Sequence, residues 1–566
     1  MYNETNPTHK NSFERKAIHM LKTDAQVQRL VDDYGHWFDD PSRVQSGRMT
    51  KDLYPYDAMF SPIRINRMTV KNRLVMAPMG NISMCEETGR PNEKMIQYFI
   101  ERAKGGVGLI TSGLVPVSFG IDHSIIELGK LSYFPRIDRS RTVFAAWRDI
   151  AAGVHAYGAK FFIQLTPGLG RVGNPQCLVN SLKFPVSSSL NPNFYMSQVP
   201  CLPLSGRKLN HIIKNAGQAA ADAKAANLDG VYLHGHEGYL LEQMTNPAFN
   251  RRALGHFSNW QAFGLDMVRE IRRRVGDAYP IMYRIDLSLA LNETYGEAIH
   301  GTSMKKFVNG RTVDMTLAYM KNLVAAGVDI FDVDLGCYDN WWLPHPPGSM
   351  PPGCFLEVAR TVKEFFSANQ IRSNAGAEVP VVGVGKLGYP DLAEAALRGR
   401  LCDMVMLGRP LLADPEWPNK AYAGRVEDIR PCIGCQEGCL NEFVEGGHPP
   451  VSYTHLDKFG VQLLAAGDER HVHQRAILLD DGAAEQLGAV QEIVKDPGLF
   501  LVVSLHGFQA AHFLLDPFQH QPGDINGVAG RGIVHGIVIG MGLVVEHGGG
   551  EVLGVADQIL TDDYHC

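Results

Sequence analysis

Positive charge is not in excess in this chain. Its 54 Lys and Arg stand against 60 Asp and Glu in 566 residues, a formal net charge of −6. That balance offers no basic field to a nucleic-acid backbone. Long apolar runs are missing too: no apolar, uncharged stretch reaches the roughly 20 residues a membrane-crossing helix needs. The N-terminus, MYNETNPTHKNSFERKAIHM, is charged throughout and has no apolar segment of the secretory kind. The expectation is a cytoplasmic protein with neither nucleic acid nor membrane as partner. Cysteine is scarce, ten in the whole chain, and scattered rather than set out as a disulfide framework, which suits a reducing compartment. The remainder is ordinary, 45% hydrophobic and 20% charged, ample for a sizeable core.

Against that scarcity, three of the ten cysteines fall within eight positions, in Arg430-Pro-Cys-Ile-Gly-Cys-Gln-Glu-Gly-Cys-Leu440. Cys432, Cys435 and Cys439 have C-x2-C-x3-C spacing. Short spacings bring thiolates onto one locus, and Cys is the usual ligand of an iron–sulfur cluster. A zinc site lacking a nearby fourth ligand, or buried thiols, are the plainer alternatives.

Residues 1–56 are polar, with a helical pattern from about Phe13 to Asp33, and read as an N-terminal extension. From about Ala58 short apolar runs alternate with helical, Ala- and charge-rich stretches. The expected strands are Leu74–Ala77, Leu109–Ser112, Lys160–Leu165, Gly230–His234, Ile281–Ile285, Ile330–Asp334, Val379–Val384 and Met404–Leu407. The expected helices are Glu93–Lys104, Arg141–Tyr157, His211–Ala226, Asn259–Val275, Val313–Ala326, Phe355–Ser367 and Pro390–Arg398. Eight continuous apolar strands with seven helices between them predict a parallel (β/α)8 TIM barrel over 57–425, a doubly wound sheet being the alternative. Residues 426–452 then form a cysteine-rich segment and 453–566 a tail of its own character.

Chemistry in such barrels sits at the C-terminal strand ends. The residues there are Pro78-Met79-Gly80-Asn81, Gly113, Gln164, His234-Gly-His-Glu-Gly-Tyr239, Arg284, the loop from Asp334 to His345, Gly383-Val-Gly385-Lys386, and Gly408-Arg409. Glycines let backbone N–H groups approach a phosphate, with Lys386 and Arg409 supplying charge. Gln164 can donate to and accept from a planar heterocycle. Arg284 can stabilise negative charge on a reduced ring.

Phe60-Ser-Pro-Ile-Arg-Ile65, Lys71-Asn-Arg-Leu-Val-Met-Ala-Pro-Met79, Arg102-Ala-Lys-Gly-Gly-Val-Gly-Leu-Ile110, Asp229-Gly-Val-Tyr-Leu-His234 and Asp403-Met-Val-Met-Leu-Gly-Arg-Pro410 together resemble the old yellow enzyme family. The cysteine run is similar to its iron–sulfur branch, which includes 2,4-dienoyl-CoA reductase, 2-enoate reductase and bile-acid-inducible NADH-dependent flavin oxidoreductases. The resemblance covers roughly 58–450. It implies FMN at the barrel mouth, bounded by Pro78, Met79, Gly80, Gly113, Gln164, Arg284, Gly385, Lys386, Gly408 and Arg409. It implies a [4Fe-4S] cluster on Cys432, Cys435 and Cys439 that passes electrons to the flavin from NAD(P)H, through an FAD in full-length relatives. His234-Gly-His-Glu-Gly-Tyr239 departs from the commoner H-x-x-[HN]-G-Y, with Glu237 at the second ligand position, and is similar to the dienoyl-CoA reductase pattern. By that likeness Tyr239 protonates substrate, with His345 as partner and His234 as carbonyl ligand, and His236 lies behind them. A buried structural tyrosine and a structural histidine are the alternatives. The implied reaction is hydride transfer to the activated C=C of an enone or enoate: an enoate, a dienoyl-CoA or a steroid enone. An amine dehydrogenase of the trimethylamine dehydrogenase type, using Trp341 and Trp342 as an aromatic bowl, or a non-catalytic flavin-binding protein, are the other readings. Homo-oligomerisation is left open.

The family's fourth cluster cysteine follows a phrase similar to Phe443-Val-Glu-Gly-Gly-His-Pro-Pro-Val-Ser452; here position 453 is Tyr. Residues 454–566 then hold nine of the 21 His but only two Lys, Lys458 and Lys495. They contain no strand–GxGxxG–helix with an acidic partner. Val451-Ser-Tyr-Thr-His-Leu-Asp457 resembles translated sequencing-adaptor DNA, so the tail is expected not to be the native continuation. An unfamiliar small domain is the competing expectation. The FAD/NAD module is accordingly expected to be absent, and turnover with NAD(P)H poor. The insert Pro185–Ser205 is expected to shape the pocket rim.

Overall fold

The computed structural model describes residues 56–436, with breaks at 82–83, 126, 129–130 and 133, then 439–440 and two short strands within 531–540. The helix expected at Phe13–Asp33, and position 453, lie outside the described residues. The chain divides into two compact units, Met1–Lys458 and Phe459–Cys566. In the second, strands Arg531–Val534 and Ile537–Gly540 pair antiparallel.

The first unit is built on eight strands: β1 (Leu74–Met76), β2 (Leu109–Pro116), β3 (Lys160–Thr166), β4 (Gly230–Gly235), β5 (Ile281–Asp286), β6 (Ile330–Asp334), β7 (Val381–Gly383) and β8 (Met404–Leu407). Each pairs parallel with the next, and β8 pairs with β1, closing the barrel. Seven helices cross between them: α1 (Glu93–Lys104), α2 (Arg141–His155), α3 (Gly206–Ala225), α4 (Ala262–Val275), α5 (Val313–Ala326), α6 (Leu356–Ala368) and α7 (Pro390–Arg398). All eight residues of β2 and all six of β4 are buried. That is the mark of strands covered on both faces, and it is why they read as continuous apolar runs rather than alternating ones. Among the described residues no helix is long and apolar enough to cross a membrane.

Helix boundaries follow capping. The Asn92 side chain accepts from Met95 N, and α1 carries Glu93 in its first turn and Arg102 and Lys104 in its last, favourable to the helix dipole. α3 begins at Gly206, five residues before the expected His211, because the Ser205 side chain accepts from Lys208 N and starts the helix there. The polar Gly206-Arg-Lys turn has no apolar periodicity to reveal it.

Asp229, in the Asp-Gly-Val-Tyr-Leu-His stretch, lies at the N-terminal foot of β4, away from the strand ends that carry chemistry. One carboxylate oxygen meets His155 Nε2 at 2.6 Å and accepts from Phe161 N at 2.9 Å; the other accepts from Lys160 Nζ at 3.0 Å. It thus fastens α2, β3 and β4 together. Burial alone would raise its pKa, but the hydrogen bonds from His155, Phe161 N–H and Lys160 outweigh that and hold it below the usual value. A depressed folded pKa contributes stability above the unfolded carboxylate pKa of about 3.9, and this is lost as pH falls through the folded value. Asp229→Asn is therefore expected to cost about 1–3 kcal/mol at neutral pH, with the gap from wild type narrowing in acid. Urea denaturation at the two pH values measures this; a gap that stays constant into acid would sink the assignment.

Candidate active site

The strand order places one layer of side chains across the barrel. His234 on β4 is in register with Arg284 on β5, and Arg284 with Asp332 on β6. Gln164 on β3 is in register with Tyr232 on β4. Above this layer, at the C-terminal strand ends, is one hollow. Its lining includes Pro78, Met79, Gly80, Gly113, Gln164, His234, Glu237, Tyr239, Arg284, Tyr338, His345, Gly385, Lys386, Gly408, Arg409 and Cys439. All ten residues expected around a cofactor, and the three expected to be catalytic, meet there. A larger cleft of about 750 Å³ lies at the opposite end of the barrel, lined by Arg64, Arg73, Lys363 and Asp403 among others. It contains none of them.

The floor is made by a backbone irregularity. The β2–β3 ladder shifts register between Thr111 and Leu114, and this bulge turns Gly113 towards the loop after β1. A Cβ on Gly113 would stand 2.1 Å from the Met79 carbonyl oxygen, so only glycine permits the approach. Asn81 Oδ1 fixes it by accepting from Gly113 N at 2.8 Å.

The hollow's charge centre is Arg284. Its Nη1 lies 2.8 Å from Glu237 Oε1, its Nη2 3.1 Å from Asp334 and its Nε 3.3 Å from Asp332. Glu237 sits in a left-handed conformation, φ 65°, followed by Gly238 at φ 84°. The following helix holds this turn from both sides: Glu242 Oε2 accepts from Gly238 N at 2.5 Å, and Gln243 Nε2 donates to the Gly238 carbonyl at 2.6 Å. The turn sends Glu237 to the arginine and Tyr239 into the hollow. Burial would raise the Glu237 pKa, but the Arg284 guanidinium beside it overrides this and keeps the carboxylate ionised. His236 is fully buried behind the hollow, its Nε2 3.5 Å from Asp334.

Both histidines in the hollow are neutral at physiological pH. Burial pushes His234 down to about 3 and also lowers His345. His345 Nδ1 faces the Trp341 carbonyl at 3.2 Å. A carbonyl only accepts, so Nδ1 carries the proton and Nε2 is left bare, 4.0 Å from Glu237. Tyr239 packs against His234 with ring centroids 4.5 Å apart, and its hydroxyl is 2.8 Å from that of Tyr338. Burial first, then Glu237, raises the Tyr239 pKa far above its ordinary value, so the group is a protonated phenol.

Lys386 lines the hollow, but its Nζ donates to the Pro347, Gly348 and Met350 carbonyls. Arg409 Nη2 donates to the Pro346 carbonyl at 2.7 Å, while its Nη1 is buried and has no partner among the described residues. Both cations therefore brace the loop after β6 as well as bordering the hollow. Trp341 and Trp342 are absent from the lining, and Trp342 is exposed. Gln164 Nε2 and His234 Nδ1 are buried with no partner among the described residues. Buried polar groups are rarely left so, and these border a hollow in which a polar, planar molecule would satisfy them. The donor set therefore fits a flavin.

Cys439 is buried in the same lining, with Cys432 half-buried and Cys435 exposed. Burial pushes the Cys439 thiol up to about 11; Arg409 pulls it down, and the neighbouring Cys432 and Cys435 add to the rise. Gln436 Nε2 donates to the His345 carbonyl at 2.7 Å, tying the cysteine segment to the catalytic-end loop. Three thiols brought near one another, each without a disulfide partner among the described residues, fit an iron–sulfur cluster.

Two contacts escaped the sequence reading. Tyr338 carried no signal beyond its place in a long loop. Arg171, in the turn after β3, is fully buried and grips Asp339 with two bonds of 2.6 and 3.0 Å, and its Nε donates to the Pro192 carbonyl. It joins the Pro185–Ser205 insert to the loop after β6. The insert reaches the hollow's edge through Phe194, edge-on to Tyr338 at 5.4 Å.

Residues 58–334 match the profile of the NADH:flavin oxidoreductase / NADH oxidase family. Cinnamate reductase of Clostridium sporogenes is 34% identical over 389 residues, 68% of this chain and 56% of that protein. NADH oxidase of Thermoanaerobacter brockii is 32% identical over 387 residues, 68% of this chain and 53% of that one. The chain thus spans about half the length of the curated relatives it matches. The fold is that of the solved complex of 2-naphthoyl-CoA reductase with 2-naphthoyl-CoA, at TM-score 0.57 and 24% identity, covering 68% of this chain and 55% of that one.

Arg171→Met would leave the buried Asp339 carboxylate without its counter-charge, a loss of about 3–5 kcal/mol for a broken buried pair. Faster hydrogen exchange across residues 336–345, with α1 unaffected, is expected by mass spectrometry. Unchanged exchange in that loop would refute the clamp.

Proposed function

We propose, for a chain whose residues 58–334 belong to the NADH:flavin oxidoreductase / NADH oxidase family, that it is an FMN-dependent ene-reductase acting on α,β-unsaturated carbonyl compounds. The observation that carries this reading is the convergence of Gln164, His234, Arg284, Tyr239, Gly113 and Gly408 on one hollow. When bound, FMN would supply the two-electron hydride chemistry. Gln164 and Arg284 would hold its ring, and the backbone at Gly80, Gly113, Gly385 and Gly408 would let it approach closely, with Arg409 Nη1 free to meet an anionic group.

The protein's own part is polarisation and proton delivery. His234, neutral and with Nδ1 unpartnered, can hydrogen-bond a carbonyl oxygen on which charge grows only in the transition state. Tyr239 keeps its proton at Oη and can give it to the carbon left electron-rich by hydride addition. His345 is the weaker donor, because its single proton is spent on the Trp341 carbonyl. The relative named cinnamate reductase favours an enoate among the substrate classes. Cys432, Cys435 and Cys439 are proposed to hold the [4Fe-4S] cluster, with NAD(P)H the ultimate electron donor.

The full chain supplied with FMN is expected to be yellow; once reduced by dithionite it should be reoxidised by an enoate, whereas the oxidised form should not be bleached by an N-methylamine. Tyr239→Phe should slow product formation by about 10²-fold or more while retaining flavin, as expected for loss of a general acid. Folded protein that takes up no flavin would sink the proposal. Anaerobically purified protein should also contain iron and acid-labile sulfide, and Cys432→Ser should lose them; equal iron in both would remove the cluster.

A further inference from the structure

Resting on that reading, we infer that Tyr338 is a positioning residue for the proton donor, its hydroxyl steering Tyr239 Oη and stabilising the charge left there when the proton departs. The two hydroxyl oxygens are 2.8 Å apart and the rings meet edge to face at 5.5 Å. Both line the hollow.

The backbone that carries Tyr338 is held from several directions. Its N–H donates to the Glu237 carbonyl at 3.2 Å, so the two tyrosines hang from one short parallel bridge between residues 237 and 337. Its next neighbour, Asp339, is gripped by Arg171. Asn340 Oδ1 accepts from Cys337 N at 2.8 Å and closes the turn. Phe194 flanks the ring. The backbone on either side of Tyr338 is thus pinned, and its half-buried side chain points its hydroxyl at that of Tyr239.

The chemistry explains the pairing. Hydride addition leaves an electron pair on the carbon next to the substrate carbonyl. The Tyr239 O–H bond breaks, a C–H bond forms at that carbon, and the O–H electron pair stays on Tyr239 Oη. Water from solvent returns the proton afterwards. A phenolate at this place is opposed by the buried surroundings and by Glu237, which raise the Tyr239 pKa, and is helped by Tyr338 and more weakly by Arg284. The other ionisable groups facing the pair are His234, His345 and Tyr195. The neutral histidines add no positive charge, and Arg284 is already shared among three carboxylates. The Tyr338 hydroxyl therefore provides the direct hydrogen bond, and such a bond strengthens when its acceptor becomes charged.

The test is single-turnover oxidation of the dithionite-reduced, FMN-loaded full chain by an enone, in H₂O and D₂O. Tyr338→Phe keeps the ring and should retain flavin. It should slow product formation by about 10- to 100-fold, the worth of a hydrogen bond to a charged group, and enlarge the solvent isotope effect. In a Tyr239→Phe background the same change should add nothing, because a residue acting through another has no separate effect. Replacing Tyr338 by the more acidic 3-fluorotyrosine should restore the rate, which a purely structural ring would not require. As a readout apart from turnover, the ζ-carbon resonance of ¹³C-labelled Tyr239 should shift in Tyr338→Phe. An unchanged rate, a loss with an unaltered isotope effect, or losses that add in the double variant would each overturn the inference. Wild-type protein that oxidises with no enone would overturn the ene-reductase reading itself, a separate result.

Discussion

The Glu237–Arg284 ion pair is the constraint around which the site is arranged. Two opposite charges, both buried, meet at 2.8 Å at the mouth of a barrel whose interior is otherwise mostly apolar. Taking such charges out of water costs several kcal/mol each, and apolar substitutes of the same shape are often as stable. Stability alone therefore does not explain the pair; its geometry does. Glu237 accepts a left-handed backbone conformation to reach the arginine, and the same turn aims Tyr239 at the hollow. Glu242 and Gln243 grasp the intervening Gly238 peptide from either side. The ion pair, the turn and the tyrosine are one mechanical unit, and the negative charge of Glu237 sets the electrostatic background for each titratable neighbour.

What could be read from the amino-acid order, and what could not, divides along the same physical line. The barrel was legible because buried parallel strands announce themselves as apolar runs at regular intervals, and the alternating helices follow from the crossovers they require. The strand-end residues were legible because the fold dictates where strand ends go: Gln164, His234, Arg284 and Gly408 are far apart in sequence but adjacent once the barrel closes. Side-chain direction was not legible. Lys386 has the composition of a phosphate ligand, yet its ammonium group caps three carbonyls of a neighbouring loop. Tyr338 and the Arg171–Asp339 clamp depend on two long loops meeting, and no periodicity records such a meeting. Asp229 looks like part of a chemical motif but works at the other end of its strand.

The loop after β6 emerges as the element on which the parts of the site converge. Arg171 holds it from the β3 side through Asp339. Lys386 and Arg409 hold it from the β7 and β8 sides through the carbonyls of residues 346–350. Gln436 holds it from the cysteine segment through the His345 carbonyl. These anchors use charged or amide donors on backbone and carboxylate acceptors, which fix direction as well as distance. A long loop held at four points can present Tyr338 and His345 in the fixed positions that the proposed proton chemistry requires.

The same loop also explains how the thiols and the hollow can belong to one site. Cys439 lines the hollow directly, Arg409 lies close enough to draw its pKa down, and Gln436 is bonded to the loop that carries His345. A cysteine segment serving only to brace the barrel would gain nothing from burying a thiol in that wall, where burial disfavours the thiolate. A segment that exchanges electrons with whatever fills the hollow must be close to it and must be held there by contacts independent of the metal. The Gln436–His345 bond and the Cys439 position meet both requirements of the proposed cluster.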